Sequence, residues 1–283
     1  MRSLWTPLKS KVDPTQFEAM KKALDQFAAG CRRDGTRMRD AFQANTGRDP
    51  VIVTNTLSPE PLMETGTFNV KHFGALGDGL TDDTEAIQNT IEACAQAGGG
   101  TVFLPSGLYR SDPLQLRSHL TLALDIGAVL VGSNLRGDQV LLRGNRLEKI
   151  TLTGPGTIEG GGRGVGIELT HSSEITIRSL GISRFDTGLR LASNSITVLD
   201  HIKITDSQDG IHFDDAGNTA IRFSQISAVR WKHGKPVGGN NPIRFESHPS
   251  ARITLDHSVL ISPNPAPVFP EEVVLQSTNW KQP

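Results

Sequence analysis

The sequence has few cysteines and no long apolar run, and each shortage excludes a class of protein. Two cysteines in 283 residues, Cys31 and Cys94, are too few for a disulfide framework, so we expect both to be buried thiols. No segment approaches the roughly 20 apolar residues of a membrane-spanning helix. The first 17 residues also lack the apolar core of a signal peptide, so the chain is expected either to stay inside the cell or to have lost a leader.

The charge is balanced and the aromatic content is low. The 29 basic residues are offset by 30 acidic ones, which argues against nucleic acid and against an anionic membrane as partners. Aromatic residues make up 5% of the chain, which disfavours a deep groove that stacks sugars on aromatic rings. Glycine is abundant, with 29 residues, and together with 16 prolines it favours many short strands joined by turns.

Residues 1–65 differ from the rest of the chain and are predicted to form a helical extension with a linker. A helix is expected from its N-cap Asp13 to the terminating Gly30, with a single apolar stripe on one face. That stripe consists of Phe17, Met20, Leu24 and Phe27. Because so short a helix is marginal alone in water, the stripe is expected to pack on the second domain, residues 66–283, or on another subunit.

The most informative feature is a repeat of 22 residues, which becomes visible when Gly166, Gly188 and Gly210 are aligned. Four apolar columns recur at this period: Ile167, Leu189 and Ile211; Leu169, Leu191 and Phe213; Ile177, Leu199 and Ile221; and Ile182, Ile204 and Ile226. After an insertion of ten residues, KHGKPVGGNN, a further copy is expected to continue the first three columns with Ile243, Phe245 and Ile253.

A period of this length, with three short strands in each copy, favours a parallel β-helix over a propeller or a leucine-rich repeat. Each copy then forms one coil, and its columns stack about 4.8 Å apart. A helix predicted over residues 82–98, with Asp82 as its N-cap, precedes the coils. It has an apolar stripe of Ile87, Ile91 and Cys94. This helix is expected to cover the open amino-terminal edge of the strands.

The stretch from Phe68 to Tyr109, FNVKHFGALGDGLTDDTEAIQNTIEACAQAGGGTVFLPSGLY, resembles the beginning of the pectin-lyase-like right-handed β-helix proteins. The segments LTLALDIGAVLVGS and ITLTGPGTIEGGG extend the likeness, which is closest to the polygalacturonase-type glycoside hydrolases. The resemblance covers residues 66–262. It implies a right-handed parallel β-helix that acts on an acidic, pectin-like polysaccharide, without a cofactor, outside the cell or in the periplasm. Trimers recur among related β-helices, so a homo-oligomer is a further expectation.

In that hydrolase family the catalytic carboxylates begin two successive coils, in patterns of the type N-T-D-G and G-D-D. The segment SQDG places Asp209 on the first catalytic aspartate. The next coil has Asn240 and Asn241 where two aspartates are expected, and neither G-H-G nor R-I-K follows. Because asparagine can neither protonate a leaving group nor activate water, the acid of the ordinary polygalacturonase mechanism is missing at this position.

Alternation along a strand turns the residues between the apolar columns outward onto one face. The face is predicted to carry two columns: Glu168, Arg190, His212 and Arg244, and then Thr170, Ala192, Asp214 and Glu246. The inserted residues would overhang it. This mixed charge is either a site or a solvated surface whose Arg and Glu side chains pair across strands.

The first hypothesis is a hydrolase of an acidic polysaccharide or oligosaccharide. Asp209 is then one catalytic carboxylate, and Asp214 or Glu246 supplies the other. Asp214 and Glu246 share a column, so we expect their carboxyl groups about 5 Å apart, a separation typical of retaining enzymes. The residues predicted to bind the substrate are Arg190, His212, Lys232, Asn240, Asn241 and Arg244.

Two alternatives remain at this point. A polysaccharide lyase would use Arg244 or His212 to remove the proton beside a uronate carboxylate. It would hold calcium with four carboxylates, those of Asp209, Asp214, Asp215 and Glu246. A non-catalytic glycan-binding or structural β-helix that has lost its acid is the other alternative, and the two asparagines favour it.

Overall fold

In the computed structural model the repeat folds into a parallel β-helix of about seven coils, as predicted. The structure describes residues 66–215, 217–232, 235–239, 241–246, 252–265 and 269–282, with the backbone alone for residues 231–238. The predicted helix from Asp13 to Gly30, Cys31 and the linker therefore lie outside the described residues. In the part that is described, no helix is long and apolar enough to cross a membrane.

The strands form three parallel sheets along the coils. Sheet 1 contains β1 (Thr67–Asn69), β3 (Gly100–Leu104), β6 (Leu120–Leu124), β9 (Glu148–Thr153), β12 (Ser173–Arg178), β15 (Ile196–Asp200), β18 (Asn218–Arg222), β23 (Ile253–Asp256) and β25 (Val273–Gln276). Sheet 2 contains β2 (Asp78–Asp82), β4 (Gly107–Ser111), β7 (Ala128–Gly132), β10 (Thr157–Glu159), β13 (Gly181–Ser183), β16 (Lys203–Thr205), β19 (Gln225–Ser227), β24 (Val259–Ile261) and β26 (Asn279–Lys281).

Sheet 3 is shorter and carries the predicted site. It contains β5 (Leu114–Gln115), β8 (Val140–Asn145), β11 (Val165–Thr170), β14 (Thr187–Ala192), β17 (Asp209–Asp214) and β22 (Ile243–Phe245). The inserted residues form an antiparallel hairpin of β20 (Arg230–Lys232) and β21 (Lys235–Gly238). A 3₁₀ helix (Val70–Phe73) and the helix α1 (Thr84–Gln96) precede most of the coils.

The predicted apolar ladder of sheet 3 is confirmed. Ile167, Leu189, Ile211 and Ile243 stand in register on successive strands, and each is at most 2% exposed. One assignment is wrong, because Ile221 pairs with Leu255 and not with Ile253. The turn from sheet 3 to sheet 1 is two residues longer in this coil, so the columns after the turn shift by two positions.

One corner of the later coils is turned by a single residue in the left-handed region of backbone conformation. These residues join sheet 1 to sheet 2 and have φ between 46° and 53°: Ser179, His201, Phe223, His257 and Ser277. A bend of one residue allows the strand direction to change with almost no loop, which keeps successive coils nearly equal in length.

The helix α1 covers the amino-terminal end of the coils and contacts β1, β3, β5 and β6. Its stripe of Ile87, Ile91 and Cys94 is fully buried, as predicted, and burial raises the pKa of the Cys94 thiol. The predicted N-cap is wrong, since the helix begins at Thr84 and its N-cap is Asp83. Asp82 instead accepts from the Thr84 hydroxyl and N–H, and these bonds lower the pKa of its carboxyl group.

The Asp83 carboxylate fastens the loop before β2 to the start of α1. The residue is 1% exposed, and its two oxygens accept from the backbone N–H groups of Leu76 at 2.7 Å and Gly77 at 3.1 Å. A neighbouring carboxylate, that of Asp78, is exposed and makes only local bonds to Leu80 and Thr81. The two aspartates therefore differ in burial.

Replacing Asp83 with Ala is expected to lower the free energy of unfolding by about 2–4 kcal/mol, because two partly buried backbone N–H groups lose the acceptor that a buried carboxylate supplies. Urea denaturation followed by circular dichroism measures the loss. The matched control Asp78→Ala should change stability little. Equal effects of the two substitutions would contradict the proposed role of Asp83.

Candidate functional site

The outer face of sheet 3 carries the charged column that the repeat predicts. Glu168, Arg190, His212 and Arg244 stand in register on β11, β14, β17 and β22. These side chains point outward because side chains alternate between the two faces of a strand, and the flanking positions of the same strands are buried. Arg143 on β8 extends the column by one more coil.

Glu168 lies between two arginines. Its Oε1 is 3.0 Å from Arg143 Nε, and its Oε2 is 3.0 Å from Arg190 Nη1. The Glu168 side chain is 14% exposed, so both ion pairs are partly shielded from water. Within the described residues the Arg190 Nε atom is buried and has no hydrogen-bond partner. Arg190 is therefore held in place while part of its donor capacity remains unused.

Asp209 is the buried carboxylate of the face, with a side chain that is 8% exposed. It stands at the first position of β17, and its backbone N–H donates to Asp186 O at 2.8 Å. Its Oδ2 is 3.5 Å from Arg244 Nη1, and its Oδ1 accepts from the Asn241 N–H at 3.3 Å. The Asp209 carboxylate is thus held in a fixed position by the backbone N–H of Asn241 and by the Arg244 guanidinium of the next coil.

Glu246 is the second carboxylate at this point of the face. Its Oε2 lies 3.0 Å from His212 Nε2 and 3.5 Å from Arg244 Nη2. Because one planar guanidinium contacts both carboxylates, the nearest oxygens of Asp209 and Glu246 lie within about 9 Å of each other. Arg244 therefore bridges two carboxylates, and His212 adjoins the more exposed one.

The structure brings together Asp209, Arg190, His212, Arg244 and Glu246, and also the backbone of Asn241. Asp214 continues the column of Thr170 and Ala192, as predicted. The register of β17 with β22 ends at Phe245, so the 5 Å separation between Asp214 and Glu246 stays a prediction. The Lys232 side chain and Asn240 lie outside the described residues.

The same face was predicted to hold calcium if the protein is a lyase. In the described ranges, no group of three or more histidine, cysteine, aspartate or glutamate side chains is arranged to hold a metal ion. The four carboxylates assigned to calcium thus do not form such a group.

The hairpin is attached beside the beginning of sheet 3. Arg230 Nη2 donates to Asp186 Oδ1 at 2.5 Å and to Gly162 O at 3.1 Å, while Asp186 Oδ2 accepts from the Gly164 N–H. Asp186 is also the residue whose carbonyl accepts from Asp209. The base of the insertion is therefore fixed near Asp209, at the corner from which the strands of sheet 3 start.

Sequence reasoning missed Arg143, Asp186 and Arg230. Arg143 precedes its strand partner Glu168 by 25 residues, so an alignment at a period of 22 does not reach it. The pair of Asp186 and Arg230 depends on the path of the insertion back along the coils, and no sequence pattern indicates that path.

Comparisons with known proteins agree with this architecture. A family model described as rhamnogalacturonase A/epimerase, pectate lyase-like, matches residues 67–140. The mannuronan C5-epimerase AlgE3 of Azotobacter vinelandii is 46% identical over 90 residues, which are 32% of this chain and 5% of that protein. An exo-poly-alpha-D-galacturonosidase of Dickeya chrysanthemi is 38% identical over 115 residues, which are 41% of this chain and 18% of that protein. The chain thus spans a small part of these relatives' length.

The fold has solved counterparts. The surface adhesin PfbA of Streptococcus pneumoniae superposes with a TM-score of 0.60 and 18% identity, over 76% of this chain and 62% of that one. Identity at this level shows a likeness of fold and not of activity. The family match over residues 67–140, the relatives and the fold agree with the predicted resemblance to the pectin-lyase-like β-helix proteins.

Proposed function

We propose that this chain is an enzyme of acidic, uronate-containing polysaccharides and that it hydrolyses the glycosidic bond on the outer face of sheet 3. One observation carries the proposal. Arg190, His212 and Arg244 stand in one column on three successive coils; His212 contacts the carboxylate of Glu246, and Arg244 contacts those of Asp209 and Glu246. A row of cations at the spacing of the coils suits a linear chain of carboxylated sugars, and the carboxylates supply the acid and base.

Asp209 and Glu246 are the pair that we assign to hydrolysis. Inverting glycosidases separate their two carboxyl groups by about 6.5–9.5 Å, and the bridge through Arg244 is compatible with that range. The carboxylate of Asp209 acts as an acceptor in its contacts with Asn241 and Arg244, which suits the base that activates water. Glu246 is assigned the acid that protonates the leaving oxygen, and His212 at 3.0 Å exchanges a proton with it.

A second candidate reaction is removal of the proton at C5 of a uronate, the first step of a lyase or an epimerase. The contact of His212 with Glu246 favours it, because a carboxylate that fixes an imidazole is a common arrangement for a general base. Arg244 then neutralises the charge that develops on the uronate carboxylate. The likeness to a mannuronan C5-epimerase supports this candidate, and the likeness to a galacturonosidase supports hydrolysis.

Analysis of the reaction products distinguishes hydrolysis from removal of the proton at C5. The purified chain is incubated with polygalacturonate and with mannuronan, and three products are measured: reducing ends, ultraviolet-absorbing unsaturated ends, and sugars with inverted C5. Hydrolysis gives reducing ends alone, a lyase gives both kinds of end, and an epimerase gives inverted C5 without new ends. Binding without any product would favour the non-catalytic alternative.

Replacing Arg190 with Gln is expected to raise KM about tenfold or more while kcat changes by only a few-fold. The guanidinium binds substrate and transition state alike, and its loss removes that uniform binding. Steady-state kinetics on the polymer that is turned over measures both constants. Arg184→Gln is the matched control, since the Arg184 guanidinium pairs with Glu159 of sheet 2, and the change should leave both constants unchanged. A fall in kcat with unchanged KM would contradict the binding role of Arg190.

A further inference from the structure

The outer face of sheet 1 has a central stripe of small and β-branched residues. These residues stand on six successive strands in continuous register and are half-buried: Thr151, Thr176, Val198, Ala220, Thr254 and Val274. Such side chains give a flat surface that another sheet can approach to about 10 Å. The stripe lies on a different side of the coils from the charged column of sheet 3.

Two columns of residues in register, each containing charged side chains, border this stripe, one on each side. One column follows the register of β9, β12, β15, β18, β23 and β25: Thr153, Arg178, Asp200, Arg222, Asp256 and Gln276. The other stands at the amino-terminal ends of the same strands: Lys149, Glu174, Ile196, Asn218, Arg252 and Glu272. Each column therefore alternates in charge along the coils.

Each column has a charge order that is complementary to the same order read backward, with a minus opposite every plus. Read from the first coil to the last, the charges of one column are neutral, plus, minus, plus, minus and neutral. Those of the other column are plus, minus, neutral, neutral, plus and minus. Reversing either order exchanges every plus with a minus, and both columns reverse about the same point, between β15 and β18.

We propose that sheet 1 is the interface of a homodimer in which a second copy of this chain packs face to face with its coils reversed. A twofold axis along the strand direction, between β15 and β18, generates this arrangement, and an isologous interface of this kind is the commonest among oligomers. The axis places Arg178 opposite Asp256 of the second copy. It also places Asp200 opposite Arg222 and Glu174 opposite Arg252. Every charge of the face then meets its opposite.

Within the described residues, most charges of this face have no ion-pair partner in the same copy, although Asp200 lies 3.0 Å from His201 Nδ1 and Asp256 lies 2.6 Å from His257 Nδ1. In the described part of the chain, Lys149, Glu174, Arg222, Arg252 and Glu272 make no ion pair, although opposite charges stand on neighbouring strands. On the same face Ile196 is 54% exposed. Beside it lies an open depression of about 330 Å³ lined by Lys149, Thr151, Glu174, Thr176, Ile196 and Val198, which the second copy would fill.

The size of the face sets the expected affinity. Six strands about 4.8 Å apart and five residues long give roughly 450 Å² for each copy, below the ~800 Å² of a standard interface. We therefore expect a reversible dimer with Kd of order 10–100 μM, weakened by salt because charge complementarity supports it.

Charge reversal tests the pairing. Sedimentation equilibrium of the full chain over a range of concentrations gives Kd for the original protein, for Glu174→Arg and for Arg252→Glu. Each single variant places like charges opposite each other twice and should weaken the dimer at least about tenfold. An equimolar mixture of the two variants pairs each new charge with its opposite and should restore association. Lys203→Glu, on the outer face of sheet 2, is the matched control and should leave Kd unchanged.

The outcomes are separable from those of the catalytic proposal, because sheet 1 takes no part in the site on sheet 3. A protein that is monomeric up to several hundred micromolar would overturn the dimer. Variants that dimerise like the original, or a mixture that fails to restore association, would overturn the twofold pairing. Restored association in the mixture, with turnover unchanged throughout, is the expected result.

Discussion

Replacing Asp209 with Asn is expected to lower turnover of an acidic polysaccharide by about 10² to 10⁴, since loss of one acid or base group typically costs that much. Asp209 is the carboxylate that matches the first catalytic aspartate of the resembling hydrolases. The structure buries it at the start of β17, in contact with Arg244 and with the backbone of Asn241. The substitution keeps the shape of the side chain and removes its charge.

Steady-state turnover and circular dichroism, measured side by side, separate loss of chemistry from loss of fold. The matched control Asp125→Asn changes an aspartate in a turn between sheet 1 and sheet 2 and should leave turnover unchanged. Full activity in Asp209→Asn would end the assignment based on the family resemblance. The chemistry would then have to be sought at Asp214, Glu246 or Arg244.

Replacing Ile211 with Ala is expected to lower the free energy of unfolding by about 2–5 kcal/mol, the range of buried large-to-small substitutions. Ile211 is fully buried between Leu189 and Ile243 of the neighbouring coils, so truncation leaves a cavity inside the coil stack. Urea denaturation measures the effect. Lys203→Ala, at an exposed position of sheet 2, should change stability little. A near-neutral result for Ile211→Ala would mean that the inner and outer faces of sheet 3 had been exchanged.

The coils of constant length were predictable from sequence, because each strand position recurs at a fixed period and inward positions must be apolar. The repeat therefore placed Arg190, His212 and Arg244 correctly in one outward column. It misplaced Ile253, since a turn that is longer by two residues leaves no apolar signal. The start of α1 was also misjudged, because Asp82 and Asp83 both suit an N-cap and only the loop at Leu76 and Gly77 decides between them.

The contacts of the site were less predictable than its register. Strand pairing fixes which residues are neighbours, but rotamers decide which charges meet. The contacts of Glu246 with His212 and Arg244 were not predicted, and the expected proximity of Asp214 and Glu246 stays a prediction. Arg244 spans two carboxylates because its long side chain reaches Asp209 at the start of the neighbouring strand β17 and Glu246 just after its own strand β22.

The role of the cationic column in holding uronate carboxylates is tested most directly by comparing one polymer with its esterified form. Turnover of polygalacturonate or mannuronan is measured against the methyl ester of the same polymer, which has the same linkages and no carboxylate charge. We expect kcat/KM at least about tenfold lower on the ester, because Arg190, His212 and Arg244 lose the charges that they bind. Equal kcat/KM on the acid and the ester would contradict a site built for acidic polysaccharides.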